Sequence, residues 1–245
     1  MIRFDTNNYE YNKSSPIGVY IIHGFSNTTY EVKEIAKFLG DKGFHTIANN
    51  LPGHGTTVEE CNRVKYQMWI EHVMQDIANL ISISEKTYVI GCSMGANLAL
   101  YLSSIFPLNG CIVGGTVLKF NNPFTIHVTN RLLCKIMKFS QKKIKNDSNI
   151  KYYGYSSYPL IALNEMRKLT KKVISKLPKV KSPLLIIHTE SDRLSLRENV
   201  DLVYNKTSSK IKEKFFVKHA HHNLFDDNPD QEEIFNEVLK FISKH

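Results

Sequence analysis

The sequence predicts an α/β fold with a mostly parallel central sheet flanked by helices. Three observations point there. Short, nearly continuous apolar runs such as 17–22 and 184–188 suit strands covered on both faces. Segments with apolar residues at helical spacing separate those runs. Between a strand-like run, Thr87-Tyr88-Val89-Ile90, and the helix-forming 96–102 stands Gly91-Cys92-Ser93-Met94-Gly95. A Gly-x-Ser-x-Gly in that setting is a nucleophile elbow, a turn tight enough to hold the serine strained with its Oγ exposed. Its glycines keep Cβ atoms out of the space where strand and helix nearly collide.

The elements follow in order. Pro16 precedes the strand 17–22, which ends at His23-Gly24-Phe25. Val32, Ile35, Ala36 and Leu39 recur at helical spacing until Gly40 and Gly43 stop the pattern. Residues 44–48 read as a second strand, followed by the loop Asn50-Leu51-Pro52-Gly53-His54-Gly55. Trp69, Val73, Ile77 and Leu80 mark a helix; the elbow strand, the elbow and its helix to Phe106 come next. Gly110-Cys111-Ile112-Val113 is a further strand. The alternation then stops for about sixty residues, far beyond a usual βα connection. Within them Leu132, Leu133, Ile136 and Met137 share one helical face, and Leu160, Leu163, Met166, Leu169 and Val173 form a second stripe. These predict a helical insertion over the sheet. Alternation resumes at Pro183, with strands at 184–188 and 215–217 and a closing helix through Ile234, Val238, Leu239 and Ile242. Such alternation implies right-handed crossovers.

A chain of 245 residues, 42% hydrophobic, suits one α/β domain with an insertion and is neither disordered nor a membrane span. The first residues carry no apolar signal core. Cys61, Cys92, Cys111 and Cys134 have neither metal nor disulfide spacing, so a reduced cytoplasmic protein is expected, with Cys92 a small apolar filler. The net charge of +9 is concentrated: residues 119–181 hold fifteen Lys/Arg against two Asp/Glu, a balance of +13, while the remainder sums to −4. The expected organisation is a core of residues 1–118 and 182–245 with a basic helical cap at 119–181. Two readings of the charge stand open. One is a solvated face, the usual fate of such runs. The other is weak contact with anionic lipid through Lys138, Lys142, Lys143 and Lys145.

A serine hydroxyl needs a base within hydrogen-bond reach, and the base needs an orienting acid. On an elbow fold the chain order is serine, acid, histidine. Asp192 follows the strand 184–188 within Thr189-Glu190-Ser191-Asp192, and His221 and His222 follow the strand 215–217. Both loops leave the C-terminal ends of strands, where α/β sheets bind ligands. Glu190 competes with Asp192 for the acid; His219 and His221 compete with His222 for the base. Asp192 suits the turn better, and His222 stands seven residues before Pro229, at a loop of suitable reach. The oxyanion donors expected are the backbone N–H groups of Met94 and Phe25. His23 and His54 read as loop organisers. Nothing suggests a metal or another cofactor, a dinucleotide loop or a nucleic-acid partner.

With these pieces the chain resembles the small bacterial carboxylesterases of the α/β-hydrolase superfamily, close to monoacylglycerol lipases. The matching residues are His23-Gly24-Phe25, Gly53-His54-Gly55, Gly91-Cys92-Ser93-Met94-Gly95, Asp192 and His222, spanning nearly the whole chain in the family's order. The resemblance implies the α/β-hydrolase fold, Ser93 as nucleophile, Asp192 as acid and His222 as base. It also implies a cap inserted between the family's sixth strand and its acid-bearing strand, matching 119–181. The implied activity is hydrolysis of a small-molecule ester, an acyl glycerol among the candidates, through an acyl-enzyme. Lysophospholipase and acyl-thioesterase are the enzymic alternatives, and a non-catalytic ligand-binding protein on the same fold is the alternative from another class. Two departures stand out: Ala220 where relatives often have glycine before the histidine, and Asn49-Asn50 where many carry an aspartate. Phe120, Phe124, Met137 and Phe139 are available to line an acyl pocket. Oligomeric state has no signal in the sequence.

Overall fold

The computed structural model describes residues 6–142 and 154–245. Lys143 and Lys145 lie outside the described residues. Seven strands form one sheet: β1 (Tyr9–Tyr11), β2 (Ile17–Ile22), β3 (His45–Ala48), β4 (Lys86–Cys92), β5 (Gly110–Gly114), β8 (Leu184–Thr189) and β9 (Lys212–Val217). Their order is β1-β3-β2-β4-β5-β8-β9, parallel throughout except for β1, which runs antiparallel to β3 at the edge. A separate two-stranded hairpin joins β6 (Phe139–Gln141) to β7 (Ser157–Pro159).

Alternation along each strand divides the core. Val19 and Ile21 of β2, with Tyr88 and Ile90 of β4, face one layer made by α1 (Lys33–Asp41) and α8 (Gln231–Lys244). Tyr20, Ile22 and Val89 face the other, where α3 (Tyr66–Ile83), α4 (Met94–Ser103) and α6 (Leu160–Lys176) pack. Burial on both faces is why these strands read as continuous apolar runs. Two further helices, α2 (Val58–Arg63) and α7 (Arg197–Lys206), carry too few apolar residues for their periodicity to stand out.

The insertion between β5 and β8 differs from expectation at its first stripe. Leu132, Leu133, Ile136 and Met137 do not share one helix face. A π-helical turn at Thr125–Thr129 passes into the four-residue α5 (Asn130–Leu133), and the chain then turns into β6. All four side chains are exposed, Ile136 to 84%. The helical pattern at 160–173 is realised because α6 has a surface to cover, packing on α2, α3 and α4; the shorter stripe turns its apolar side chains to solvent. Asn62 ties the insertion down: its amide donates to Lys138 O at 2.8 Å, and its oxygen accepts from the Ile161 and Ala162 N–H groups at 3.0 Å each.

Strand β4 and helix α4 meet at the elbow with no room for a side chain. A Cβ on Gly91 would strike Gly95 O, and a Cβ on Gly95 would strike the carbonyls of Ile22 and His23. The obstacles are backbone atoms, which cannot rotate aside. Gly95→Ala should therefore destabilise by about 3 kcal/mol or more, lowering Tm by about ten degrees. Gly43→Ala, which adds its Cβ in open space although φ is +95°, should lose less. Thermal melts of the two variants check this, and equal losses would refute it.

Candidate active site

Four loops leave the C-terminal ends of β2, β4, β8 and β9, adjacent or near-adjacent strands, and their residues converge. Ser93, between β4 and α4, sits at φ 56° and ψ −113°, the strained conformation an elbow imposes. Its N–H is anchored to Gly114 O at 2.9 Å. His222 Nδ1–H donates to Asp192 Oδ2 at 2.7 Å. The Asp192 side chain is fully buried, and its other oxygen accepts the N–H groups of Leu194 at 2.7 Å and Ser195 at 2.9 Å. Burial pushes this carboxyl up. The hydrogen bond and charge of His222, with the two N–H groups, outweigh it and hold the acid below its ordinary range. An ionised Asp192 fixes the imidazole with a proton on Nδ1, leaving Nε2 free to accept.

Of the competing residues, Glu190, His219 and His221 are all exposed, and it is Asp192 that His222 meets. His221 shares with Ser93 and His222 the wall of a cavity of about 470 Å³. Among the described residues no hydrogen bond joins Ser93 Oγ to His222; such bonds commonly tighten only when substrate is bound. Nor does any described acceptor take the N–H of Phe25 or of Met94.

Residues that the sequence did not single out hold this arrangement. Asp230 accepts the N–H groups of Lys218, His219 and Ala220 on one oxygen, shaping the loop that presents His222. Ala220 O then accepts the hydroxyls of Thr189, at 2.7 Å, and Ser191, tying the histidine loop to the acid loop. Asn199 accepts Leu118 and Lys119 N–H and donates to Lys119 O, fixing the chain where it leaves the sheet for the insertion. A buried polar residue with several backbone partners is the structural signature. One-dimensional spacing carries no trace of it.

His23 and His54 are the organisers expected. Leu51 N–H donates to His23 Nε2 at 3.0 Å, so the ring proton sits on Nδ1, which donates to Gly24 O at 2.9 Å. Burial lowers His23 to about 3 and His54 to about 4, so both are neutral. Cys92 is fully buried, and burial raises its thiol well above the ordinary value, which makes it inert. Of the four residues expected to line the pocket only Phe120 does; Phe124 and Met137 point to solvent and Phe139 is half-buried outside the wall. Val117, Ile126, Leu163 and Met166 take their place. Among the described residues no group of three or more His, Cys, Asp or Glu could hold a metal ion, and no helix is long and apolar enough to cross a membrane.

A family model described as serine aminopeptidase, S33, matches residues 16–229, and the chain belongs to that family of hydrolases. The thermostable monoacylglycerol lipase of Bacillus sp. (strain H-257) is 25% identical over 236 residues, covering 96% of this chain and 94% of that protein. The carboxylesterase of Bacillus subtilis (strain 168) is 20% identical over 234 residues, 95% and 94% of the two chains. Among solved structures, one reported for LipS and LipT, two metagenome-derived lipolytic enzymes, superposes with a TM-score of 0.90 over the whole of both chains at 23% identity. The fold is that of the α/β-hydrolases.

The least expected member of the site is Glu31, fully buried behind the loop that carries Phe25. Gly24 N–H donates to its Oε2, and the Asn27 amide donates to its Oε1 at 2.6 Å. One carboxyl thus clasps both ends of the 24–27 loop. Burial raises Glu31 to about 7, opposed by the Gly24 bond, His222 and Asn27 and reinforced by Asp226. An exposed glutamate releases its proton near 4.5, so across the interval from there to about 7 the folded chain binds more protons than the unfolded one. Stability from this group is complete at the acid end and is lost as pH rises through about 7. Glu31→Gln keeps an acceptor for Gly24 and has no proton to lose. Its Tm should fall less between pH 5 and pH 8 than that of the parent; an identical fall in both proteins contradicts the assignment.

Proposed function

We propose that this protein is a serine carboxylesterase acting through an acyl-enzyme. Ser93 is the nucleophile, His222 the base, Asp192 the orienting acid, and the Phe25 and Met94 N–H groups the oxyanion donors. The observation that carries the reading is the 2.7 Å pair of the fully buried Asp192 side chain and His222, which with Ser93 lines the cavity. Ser93 Oγ attacks the acyl carbon as His222 Nε2 takes its proton, and Asp192 stabilises the imidazolium. The two N–H groups receive the developing oxyanion. Collapse expels the alcohol, which takes the proton from His222. Water, deprotonated by the same nitrogen, then attacks the acyl-serine; the tetrahedral adduct collapses to the acid as Ser93 Oγ leaves and takes that proton back from His222. The relatives support ester over amide substrates, since those named are a monoacylglycerol lipase and a carboxylesterase. Monoacylglycerol, lysophospholipid and thioester substrates share this chemistry and differ only in the leaving group.

In this reading residues 1–118 and 182–245 form the hydrolase core, and 119–181 form a cap whose Phe120, Ile126, Leu163 and Met166 bound the acyl site. All four cysteines are free, which suits a reducing compartment.

Ser93→Ala should stay folded and lose ester hydrolysis by on the order of 10⁴ or more, together with covalent labelling by a fluorophosphonate. His222→Ala should be similarly inactive, whereas His221→Ala keeps substantial kcat/KM on nitrophenyl esters. Near-parent turnover by the Ser93 variant sinks the mechanism, and the reverse histidine pattern moves the base to His221.

The cap surface supports a second, weaker role. Exposed Phe124, Leu132, Ile136 and Met137 stand among Arg131, Lys135 and Lys138, a mixture suited to the interface of an anionic bilayer. Lys135→Gln with Lys138→Gln should weaken sedimentation with anionic vesicles at low salt. The difference should shrink above physiological ionic strength, where the screening length is below about 8 Å. If the parent protein fails to sediment with anionic vesicles at low salt, the surface charge serves solubility alone.

A further inference from the structure

We propose that the cavity shared by Ser93 and His222 takes esters bearing an anionic oxygen group, a carboxylate or a phosphate, and that Lys142 is the cation that recognises it. The inference rests on the serine esterase reading and deepens it by naming a substrate class.

Lys142 directly follows β6 and lines that cavity. Its backbone N–H is fixed to Ser156 O across the hairpin, at 3.3 Å. Its Nζ donates to Ser26 Oγ at 3.2 Å, on the residue that follows Phe25, and lies 5.0 Å from the centre of the Tyr158 ring. A charged amine is therefore held in the cavity against the loop that carries a proposed oxyanion donor. The rest of the described wall is apolar or uncharged apart from His221 and His222, and it contains no Asp or Glu.

Lys142 is half-buried and has no carboxylate among its described partners; such lysines are uncommon, because the charge loses hydration and gains little in return. Lys142 has a hydroxyl and a ring face as its described partners. Burial lowers it to about 8, so it is largely protonated at neutral pH. The thiol of Cys61, a titrating group that acts on Lys142, is pushed up to about 12 by burial and stays neutral. An anionic oxygen on the substrate would supply the missing partner. A purely structural role, bracing Ser26, would instead affect every ester alike.

The experiment compares matched pairs. On the acyl side, 4-nitrophenyl hydrogen glutarate is set against 4-nitrophenyl pentanoate; on the alcohol side, 1-hexanoylglycerol 3-phosphate against 1-hexanoylglycerol. In Lys142→Gln and Lys142→Met the ratio of kcat/KM, anionic over neutral, should fall roughly ten- to a hundredfold in one pair, mainly through KM, as for loss of a charged hydrogen bond. The pair that responds shows whether the anion belongs to the acid or to the alcohol. In the parent, that ratio should also decline as pH rises through about 8, and in Lys142→Met it should not. Unchanged ratios in both pairs, whatever happens to the rates themselves, overturn the proposal while Ser93 still labels with fluorophosphonate. No turnover of any of the four esters and no labelling would overturn the esterase reading, and this one with it.

Discussion

Strand β4 and helix α4 meet with no room for a side chain between them, and the site depends on that contact. Gly95 lies against the carbonyls of Ile22 and His23, and Gly91 against Gly95 itself. This contact draws the end of β2 up to the start of α4, so the loop carrying Phe25 and the turn carrying Ser93 become neighbours. A Cβ on Gly24 would sit 3.2 Å from that of Ser93. The left-handed φ of Ser93, unfavourable for any residue with a Cβ, is held by packing on both sides of the sheet, where Cys92, Met94 and Ala96 are wholly buried. Strain at the serine is thus sustained by the core together with the bond from Ser93 N–H to Gly114 O.

Around this contact, buried carboxyls do the positioning, each by a different balance. Asp192 and Asp230 are satisfied by backbone N–H groups, and Asp192 also by an imidazole, so ionisation prevails over burial. Glu31 has two neutral donors and an acid neighbour, and burial prevails. A carboxyl group therefore serves as a fixed anion in one loop and a titrating clasp in another. The difference lies in the number and charge of donors within reach.

The cap follows looser rules. Helix α6 is held by apolar burial and by the Asn62 clamp, whereas the segment before it leaves large apolar side chains in solvent. Its inward side contributes Phe120 and Ile126 to a wall otherwise built from the core and α6. The proposed acyl site is therefore bounded in part by the portion of the chain least constrained by the sheet, while the proposed chemistry rests on the most constrained part.

The parallel sheet, the elbow and the order of Ser93, Asp192 and His222 were legible in the sequence because each rests on local pattern. Runs of buried strand residues, helical periodicity and a Gly-x-Ser-x-Gly turn are all written within a few residues of one another. The preference for Asp192 over Glu190 was legible too, as a matter of distance from a strand end. The edge strand β1, too short to show a period, was not. Neither was the failure of the 132–137 stripe, because periodicity states what a helix could cover and only the fold states whether anything is there to be covered. Glu31, Asp230 and Asn199 were invisible for the same reason. Their roles consist of hydrogen bonds to backbone brought near by folding: for Asn199 about eighty residues distant, for Glu31 and Asp230 close in sequence but paired by loop shape. The sequence by itself determined which chemical groups are available and in what order. The tertiary structure alone decided which carboxyls are ionised, which histidine meets one, and that a lysine of the cap ends in the cavity beside the serine, because desolvation and proximity are properties of packed space.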